Sequence, residues 1–204
     1  MRKITAIQKT KQGRFSLFTE EGFLFSVDGE TLHKHGILEG SSFSEEELSC
    51  LKEDSDTRKA KDKAMRLLAR RAHGTRELRE KLCLHFDADT ADAAVAALLQ
   101  LGLLDDEAFA QQRADALAEK GKSRQEIEWK LIAQGIDREV AKEAAASVEG
   151  DEAELALRLV RGRYWEQMQK GKRQTVMAAL ARRGFSHADI QYAVDAAETS
   201  QGEE

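Results

Sequence analysis

Short basic loops recur along the chain, and their residues are the ones best suited to bind a charged partner. One loop runs from Lys120 to Arg124, a second from Lys170 to Arg173, and a looser third from Arg70 to Arg76. Clustered lysine and arginine side chains attract phosphate groups or acidic protein surfaces. Charge on a solvated helix face is equally ordinary, but its recurrence at equivalent places favours a binding surface. The sequence therefore predicts recognition of an anionic partner.

No arrangement of residues predicts a reaction centre or a metal site. The segment 121–123 reads Gly-Lys-Ser, but a phosphate-binding loop also needs a glycine where Ala116 stands and a strand before it. Cys50 and Cys83 lack the paired spacing of zinc ligands. No Ser/His/Asp or paired-carboxylate spacing stands out. We expect no catalytic residue, no metal and no cofactor.

The first of these loops leads into a short helix with clear boundaries. Ser123 and Glu126 have the spacing of a capping box, in which each side chain satisfies a free backbone N–H group. Ile127 and Leu131 form one apolar face of the helix. A glycine four residues later supplies the left-handed backbone that ends it. The loop is therefore expected to be held at the start of a helix.

The pattern of a basic loop followed by an apolar pair occurs three times in the chain, at a period of 49 residues. Self-similarity at this period is typical of stacked helical units that bury their apolar faces against one another. The first copy lacks the glycine at the end of the helix and has Leu84–Asp87 in its place. The matched positions are Leu78 and Leu82 in the first copy, Ile127, Leu131 and Gly135 in the second, and Val176, Leu180 and Gly184 in the third.

Composition favours a helical protein with few aromatic residues. The 204 residues include no proline, and aromatic residues make up 6%. The net charge is −5, but residues 58–104 carry 10 Lys/Arg against 6 Asp/Glu, whereas residues 1–57 and 105–150 each carry 7 against 11. A chain of this kind is not a general polyanion binder, although it can present a local basic face. We expect no signal peptide and no membrane span, and hence a cytoplasmic protein.

The N-terminal part predicts a small β-containing module. Three short runs rich in β-formers are separated by glycine-containing turns, and a short helix at 30–34 and a capped helix starting after Ser44 follow. The polar stretch 52–57 lacks periodicity and predicts a linker. The β runs are Ile4–Gln8, Arg14–Thr19 and Phe23–Val27.

The remainder predicts helices throughout. A long amphipathic helix starts at Lys59 and places Lys59, Lys63, Arg66 and Arg70 on one side. Further helices are expected at 76–86, 90–101, 106–119, 124–134, 138–148, 152–166, 173–183 and 187–198. The fold class is mostly α, an elongated array of three tandem three-helix repeats preceded by a small N-terminal β-containing module. The expected boundaries are 1–57 for the module and linker, then 58–104, 105–150 and 151–204 for the repeats.

These segments resemble the RecX family of regulators of the RecA recombinase, over the whole chain. Leu67–Arg71 with Leu78–Leu82 resembles the first-unit signature of the family. Gly102–Phe109 is similar to its junction between units one and two. Lys120-Gly-Lys with Leu131–Ile136 resembles the second unit, Leu180–Phe185 the third, and the N-terminal β stretch an extension of some members. The departure is Leu84–Asp87, where a Lys-Gly-Ile ending is usual.

The resemblance implies a non-enzymatic regulator. Such a protein would bind RecA and its filament on single-stranded DNA, inhibit recombinase, ATPase and coprotease activity, and contribute to control of DNA repair, recombination and the SOS response. It would contact single-stranded DNA weakly or through RecA, and would be monomeric. The alternative is a direct DNA-binding helical module without a RecA partner, in which the helix after each basic loop enters a groove.

The predicted RecA- or DNA-binding residues are the cations of the long helix and of the basic loops. Trp129, Tyr164 and Trp165 lie beside basic residues and could stack on bases, although large aromatic residues in a repeat more often pack in its core. The predicted binding residues are Lys63, Arg66, Arg70, Arg71, Arg76, Lys120, Lys122, Arg124, Lys130, Lys170, Lys172, Arg173, Arg182 and Arg183.

Overall fold

A small β-sheet module is followed by helices in a computed structural model that describes residues 1–199. This confirms the mostly α fold class with an N-terminal β-containing module. The chain divides into two units, one containing residues 1–73 and 77–104, the other containing residues 74–76 and the chain from Asp105 onward. The elements of the module are β1 (Arg2–Lys3), β2 (Ala6–Lys9), β3 (Phe15–Thr19), β4 (Gly22–Val27), α1 (Gly29–Lys34) and β5 (Ser42–Phe43).

The N-terminal module is an antiparallel meander of β2, β3 and β4, with β1 paired separately to β5. Ile7 lies opposite Leu17, and the register shifts at a bulge between Leu17 and Phe18. One face of the meander is buried, as the alternation of apolar residues requires. Its core consists of Ile4, Leu17, Val27 and Ile37 together with Leu48 and Leu51 of the following helix.

That helix, α2 (Glu45–Leu68), is continuous for 24 residues, so the predicted linker at 52–57 is wrong. Its N-terminus is the predicted capping box of Ser44 and Glu47. The stretch lacks apolar periodicity because polar side chains within it, Asp54 and Ser55, face the β module. Arg14 donates hydrogen bonds to the buried Ser55 hydroxyl and to the Ser26 carbonyl, at 2.6 and 2.7 Å.

Ion pairs add to this contact between α2 and the β module. Asp54 lies 2.7 Å from Lys34 Nζ and 2.9 Å from His35 Nε2. The hydrogen bonds from Lys34 and then His35 lower the pKa of Asp54. A boundary at residue 57 therefore falls inside a helix whose two halves serve two cores.

The first repeat uses the second half of α2 with α3 (Thr75–Cys83) and α4 (Ala88–Gln100). The glycine missing after α3 is not needed, because the turn that replaces it has negative φ throughout. Phe86 packs against the repeat's core, and Asp87 caps α4 by accepting from Thr90 N at 2.8 Å. The core includes Ala60, Ala64, Leu78, Leu82, Ala91 and Leu98.

The second and third repeats lie in the second unit. The predicted single helix over 152–166 is wrong, because its first part ends at Gly162, whose φ of −94° and ψ of −86° are not helical. The chain resumes as a short helix that begins at Trp165. The second repeat comprises α5 (Asp106–Ala118), α6 (Arg124–Ala133) and α7 (Arg138–Ser147), and the third comprises α8 (Glu152–Arg161), α9 (Trp165–Gln169), α10 (Arg173–Arg182) and α11 (His187–Thr199).

The apolar pairs that defined the sequence repeat are fully buried, as predicted. They fall into separate cores, one for each repeat, and each has 0% exposure. Burial of both members at spacing i, i+4 anchors α3, α6 and α10 in their repeats. The pairs are Leu78 with Leu82, Ile127 with Leu131, and Val176 with Leu180.

The glycines after α6 and α10 make close contacts that a larger residue could not make. Gly135 and Gly184 have φ of 88° and 91°, the left-handed region expected at a helix end. A Cβ atom on Gly135 would lie 2.8 Å from Arg76 Cβ, and one on Gly184 would lie 2.7 Å from Gln125 Cβ. Those atoms are fixed close to the backbone, so neither can move away.

We predict that Gly184→Ala destabilises the protein more than Gly171→Ala. Both positions have positive φ, which costs an alanine about 1–2 kcal/mol. Only Gly184 adds a steric overlap, worth a further ~1–3 kcal/mol, because a Cβ at Gly171 meets nothing within 4 Å. Urea denaturation of the two variants measures the difference. Equal losses would show that the close contact at Gly184 carries no energy.

Candidate interaction surface

The C-terminal half of α2 and the turn after it carry three of the predicted cations. Lys63 and Arg66 lie on one side of α2, three residues apart, whereas Arg70, predicted on the same helix face, lies in the turn after α2 ends at Leu68. Arg66 and Arg70 are exposed and Lys63 is half-buried. Within the described part of the chain, none of the three side chains has a hydrogen bond or an ion pair. Lys59, which shares this side, is instead 2.5 Å from Asp56.

The two arginines after this stripe are engaged by the protein itself. Arg71 forms a two-pronged ion pair with Glu77, with contacts of 2.5 and 3.1 Å. Burial raises the pKa of Glu77, but hydrogen bonds from Arg71 and His73 outweigh it and lower the pKa overall. The Arg76 stem packs over Gly135. Arg71 and Arg76 therefore make contacts within the protein, whether or not they also bind a partner.

Three predicted cations converge on one carboxylate of the second repeat. Lys122 lies 2.7 Å from Glu126, Lys130 lies 3.8 Å from it, and Arg183 Nε lies 3.9 Å from its other oxygen. Glu126 is only 18% exposed. Three positive charges around one negative charge leave a local excess of two.

Ser123 begins α6 but does not complete the predicted capping box. Its hydroxyl accepts from the Glu126 N–H at 3.1 Å and donates to the Arg183 carbonyl at 2.5 Å. The Glu126 carboxylate pairs with Lys122 instead of returning to the Ser123 backbone. Ser123 is fully buried, so its hydroxyl links α6 to the end of α10.

Arg124 is a structural residue at the joint between the second and third repeats. Its guanidinium donates to the carbonyls of Val148 and Gly150 at 2.9 and 3.0 Å. Its backbone N–H donates to Glu152 at 3.1 Å. These bonds tie the start of α6 to the chain that leads into α8.

A similar joint occurs one repeat earlier, at residues that also belong to the second unit. There the Thr75 N–H donates to Asp106 at 2.7 Å. Thr75 and Arg124 are matched by the 49-residue period, and Asp106 and Glu152 are each the first residue of their helix. An acidic residue at this position was missed in the sequence because a first-turn carboxylate is ordinary in any helix.

The cations of the third repeat divide in the same way. Arg173 pairs with Asp195 at 2.7 Å and also with Glu198, and the Arg173 hydrogen bond lowers the pKa of Asp195. Lys170 pairs with Glu166. By contrast, three other predicted side chains are exposed and have no ion pair or hydrogen bond among residues 1–199, namely Lys120, Lys172 and Arg182.

The structure separates the three aromatic residues. Tyr164 and Trp165 pack against the core of the third repeat. Trp129 lies outside the core of its own repeat and is 48% exposed. Only Trp129 is therefore available to a partner.

Two further findings concern residues 1–199. No group of three or more His, Cys, Asp or Glu side chains in this range is arranged to hold a metal ion. None of the helices in this range is both long and apolar enough to cross a membrane.

Family models match the first two helical repeats. The model described as RecX, first three-helix domain, matches residues 60–98, and the model described as RecX, second three-helix domain, matches residues 105–144. Both ranges coincide with repeats that the structure forms.

Relatives and solved structures extend the similarity along the chain. Regulatory protein RecX of Clostridium perfringens is 30% identical over 169 residues, covering 80% of this chain and 79% of the relative. Regulatory protein RecX of Clostridioides difficile is 27% identical over 187 residues, covering 88% and 87%. A crystal structure of a regulatory protein RecX has a TM-score of 0.74 at 21% identity and covers 96% of this chain and all of the other. RecX from Lactobacillus salivarius has a TM-score of 0.61 at 21% identity, covering 71% and 97%.

We predict that Arg124→Ala lowers the free energy of unfolding by about 1–3 kcal/mol, because two carbonyls of the joint lose their donor. Lys120→Ala, four residues earlier and without a partner among residues 1–199, should change this free energy by less than about 0.5 kcal/mol. Chemical denaturation of both variants measures this. If Arg124→Ala is as stable as the unchanged protein, the contacts of Arg124 contribute no stability, and its side chain would be available to bind a partner.

Glu152 predicts a pH dependence of opposite sign to that of most carboxylates. Burial raises the pKa of Glu152 more than the hydrogen bond from Arg124 lowers it. The folded state then binds the proton of Glu152 more tightly than the unfolded state does. The contribution of Glu152 to the free energy of unfolding therefore decreases as pH rises from its unfolded towards its folded pKa. Glu152→Gln keeps an acceptor for Arg124 without the charge, and should be at least as stable as the unchanged protein at pH 7.

The Glu152 test compares denaturation of the two proteins at neutral pH and at a pH near 4. The advantage of Glu152→Gln should disappear at the lower pH, where Glu152 is protonated. Glu152→Ala is the control, since it removes the acceptor and should be less stable at both pH values. A Glu152→Gln protein that is less stable only at neutral pH would show that the charge is favourable at this joint.

Proposed function

Because this chain belongs to the RecX family, we propose that it binds the RecA recombinase and its filament on single-stranded DNA and lowers recombinase, ATPase and coprotease activity. Acting in this way, it contributes to control of DNA repair, recombination and the SOS response. A regulator that occupies a surface needs no reaction centre, so the protein is non-enzymatic and uses no cofactor. It works in the cytoplasm, and a single chain suffices.

The observation that carries the proposal is the open basic stripe of Lys63, Arg66 and Arg70. A cation already held in an ion pair must give up that partner before it can bind another group. An open cation loses only hydration, so it contributes more to an external contact. The segment that contains the stripe, residues 58–104, is also the one with a positive balance in an acidic chain.

Open cations of the second unit extend the proposed surface. Lys120, Lys172 and Arg182 are exposed and without partners among the described residues. Lys122, Lys130 and Arg183 can take part as a group, since Glu126 balances only one of their three charges. A binding role for Arg71, Arg76, Arg124, Lys170 and Arg173 stays a prediction, and their internal contacts argue for a structural role first.

The contacts of α6 argue against the alternative of a direct DNA-binding module. A recognition helix reads a groove with the residues at its N-terminal end. In α6 that end is already occupied, since Arg124 binds backbone carbonyls and Gln125 lies against Gly184. The helix cannot enter a groove without breaking the joint between the repeats.

We predict that reversing the stripe weakens inhibition of RecA. The variant Lys63→Glu/Arg66→Glu/Arg70→Glu should raise the concentration needed for half-inhibition of RecA ATP turnover on single-stranded DNA by about 10-fold or more. Exposed charges contribute ~0–1 kcal/mol each, and contacts along one surface combine. The measurement is a titration of RecA with the unchanged protein and the variant, after circular dichroism has shown that both are folded.

The matched control reverses three exposed lysines outside the predicted surface. Lys9→Glu/Lys11→Glu/Lys142→Glu makes the same change in net charge and should shift half-inhibition by less than about 2-fold. If the two triple variants inhibit equally, the stripe is not the binding surface. If the unchanged protein neither binds RecA nor slows its ATP turnover, the proposed function is wrong.

A further inference from the structure

The indole of Trp129 is exposed, unlike the rings of Tyr164 and Trp165, the other two aromatic candidates for stacking on bases. It is 48% exposed on α6, whereas Tyr164 and Trp165 pack against a core. A single exposed ring is ordinary on a protein surface. Its surroundings decide whether it belongs to a binding site.

Those surroundings are positively charged on the side of α6 that carries the ring. Glu126 lies one turn before Trp129 on the same helix. Its carboxylate is the one shared by Lys122, Lys130 and Arg183, at 2.7, 3.8 and 3.9 Å. The ring therefore lies beside a cluster with two positive charges in excess.

A second contact brings the end of α10 to the same place. Gln125, one turn before Trp129 and next to it on the helix face, packs against Gly184. Arg182 comes two residues before Gly184 and is exposed without a partner in the described part of the chain. The end of α10, which carries Arg182, therefore packs against the helix that carries the ring.

We propose that Trp129 stacks on a base of single-stranded nucleic acid while Lys122, Lys130 and Arg182 hold the flanking phosphates. The inference rests on the proposed function, since a regulator of a filament assembled on single-stranded DNA meets that strand. An exposed ring within a basic surface is the usual platform for unpaired bases, because every base offers a flat face. An acidic protein surface would satisfy the cations equally well but gives no role to the ring.

The test measures binding of a labelled oligothymidylate by fluorescence anisotropy at low ionic strength. Trp129→Ala should weaken binding by about 5- to 150-fold, the range for loss of one stacked base. Tyr192→Ala is the matched control, because Tyr192 is a 47% exposed aromatic residue elsewhere in the same unit. It should change binding by less than about 2-fold.

A strand of the same length without bases separates stacking from charge. Trp129→Ala should bind this abasic strand as the unchanged protein does, whereas Lys122→Gln/Lys130→Gln should weaken both strands and reduce the salt dependence. In addition, Trp165→Phe leaves Trp129 as the only tryptophan, and its fluorescence should be quenched by oligothymidylate but not by the abasic strand. This signal does not depend on any variant at Trp129.

The outcomes distinguish this inference from the proposed function. Equal binding of oligothymidylate by the unchanged protein and Trp129→Ala, equal weakening on both strands, or no binding by the unchanged protein overturns the stacking role. If Trp129→Ala binds DNA normally but no longer inhibits RecA, the ring contacts the recombinase instead, and the proposed function stands. If stacking is found but the unchanged protein does not inhibit RecA, the proposed function fails and the nucleic-acid site remains.

Discussion

The close approach of a glycine to the preceding repeat is the constraint on which the second unit depends. Gly184 lies against Gln125, and Gly135 lies against Arg76, each at a distance that leaves no room for a Cβ atom. Glycine satisfies two requirements at each position, because it adopts the positive φ that ends the helix and has no Cβ atom to obstruct the contact. A hydroxyl–carbonyl bond from Ser123 to Arg183 and the bonds of Arg124 then fix the same joint. In tandem repeats such interfaces supply much of the stability, because no repeat can bury its faces by itself.

The demands of this joint decide which basic residues remain for a partner. Arg124 and Arg173 belong to the same basic loops as the open lysines, yet each is held by the protein's own acceptors. Lys120 and Lys172 have no such acceptor among the described residues. Each of these two basic loops therefore contains an arginine that the protein itself binds and a lysine that is exposed to solvent. Net charge hides this division, since a paired arginine and an open lysine count equally.

The polar segment 52–57 is part of a helix that packs against the N-terminal module, and it is not a linker. Arg14 of the β module donates a hydrogen bond to Ser55 of α2. Lys34 and His35 of the module contact Asp54 of the same helix. Leu48 and Leu51 complete the core of the module, and Ala60 and Ala64 complete that of the first repeat. One continuous helix thus supplies apolar residues to both cores within the first unit. A regulator built in this way has its β module packed on the same helix that presents Lys63 and Arg66 of the basic stripe.

The sequence by itself determined the features that are local. The buried pairs such as Ile127 and Leu131, the cap at Ser44, and the helix ends at Gly135 and Gly184 follow from side-chain spacing and backbone preference within a few residues. Tertiary structure decided what depends on distant partners. Periodicity could not show that 52–57 is helical, because its contacts with the β module are made by the polar residues Asp54 and Ser55. Nor could it show that Arg124 is held by Val148 and Gly150 while Trp129 is left in solvent, because both outcomes depend on what the fold brings against each residue.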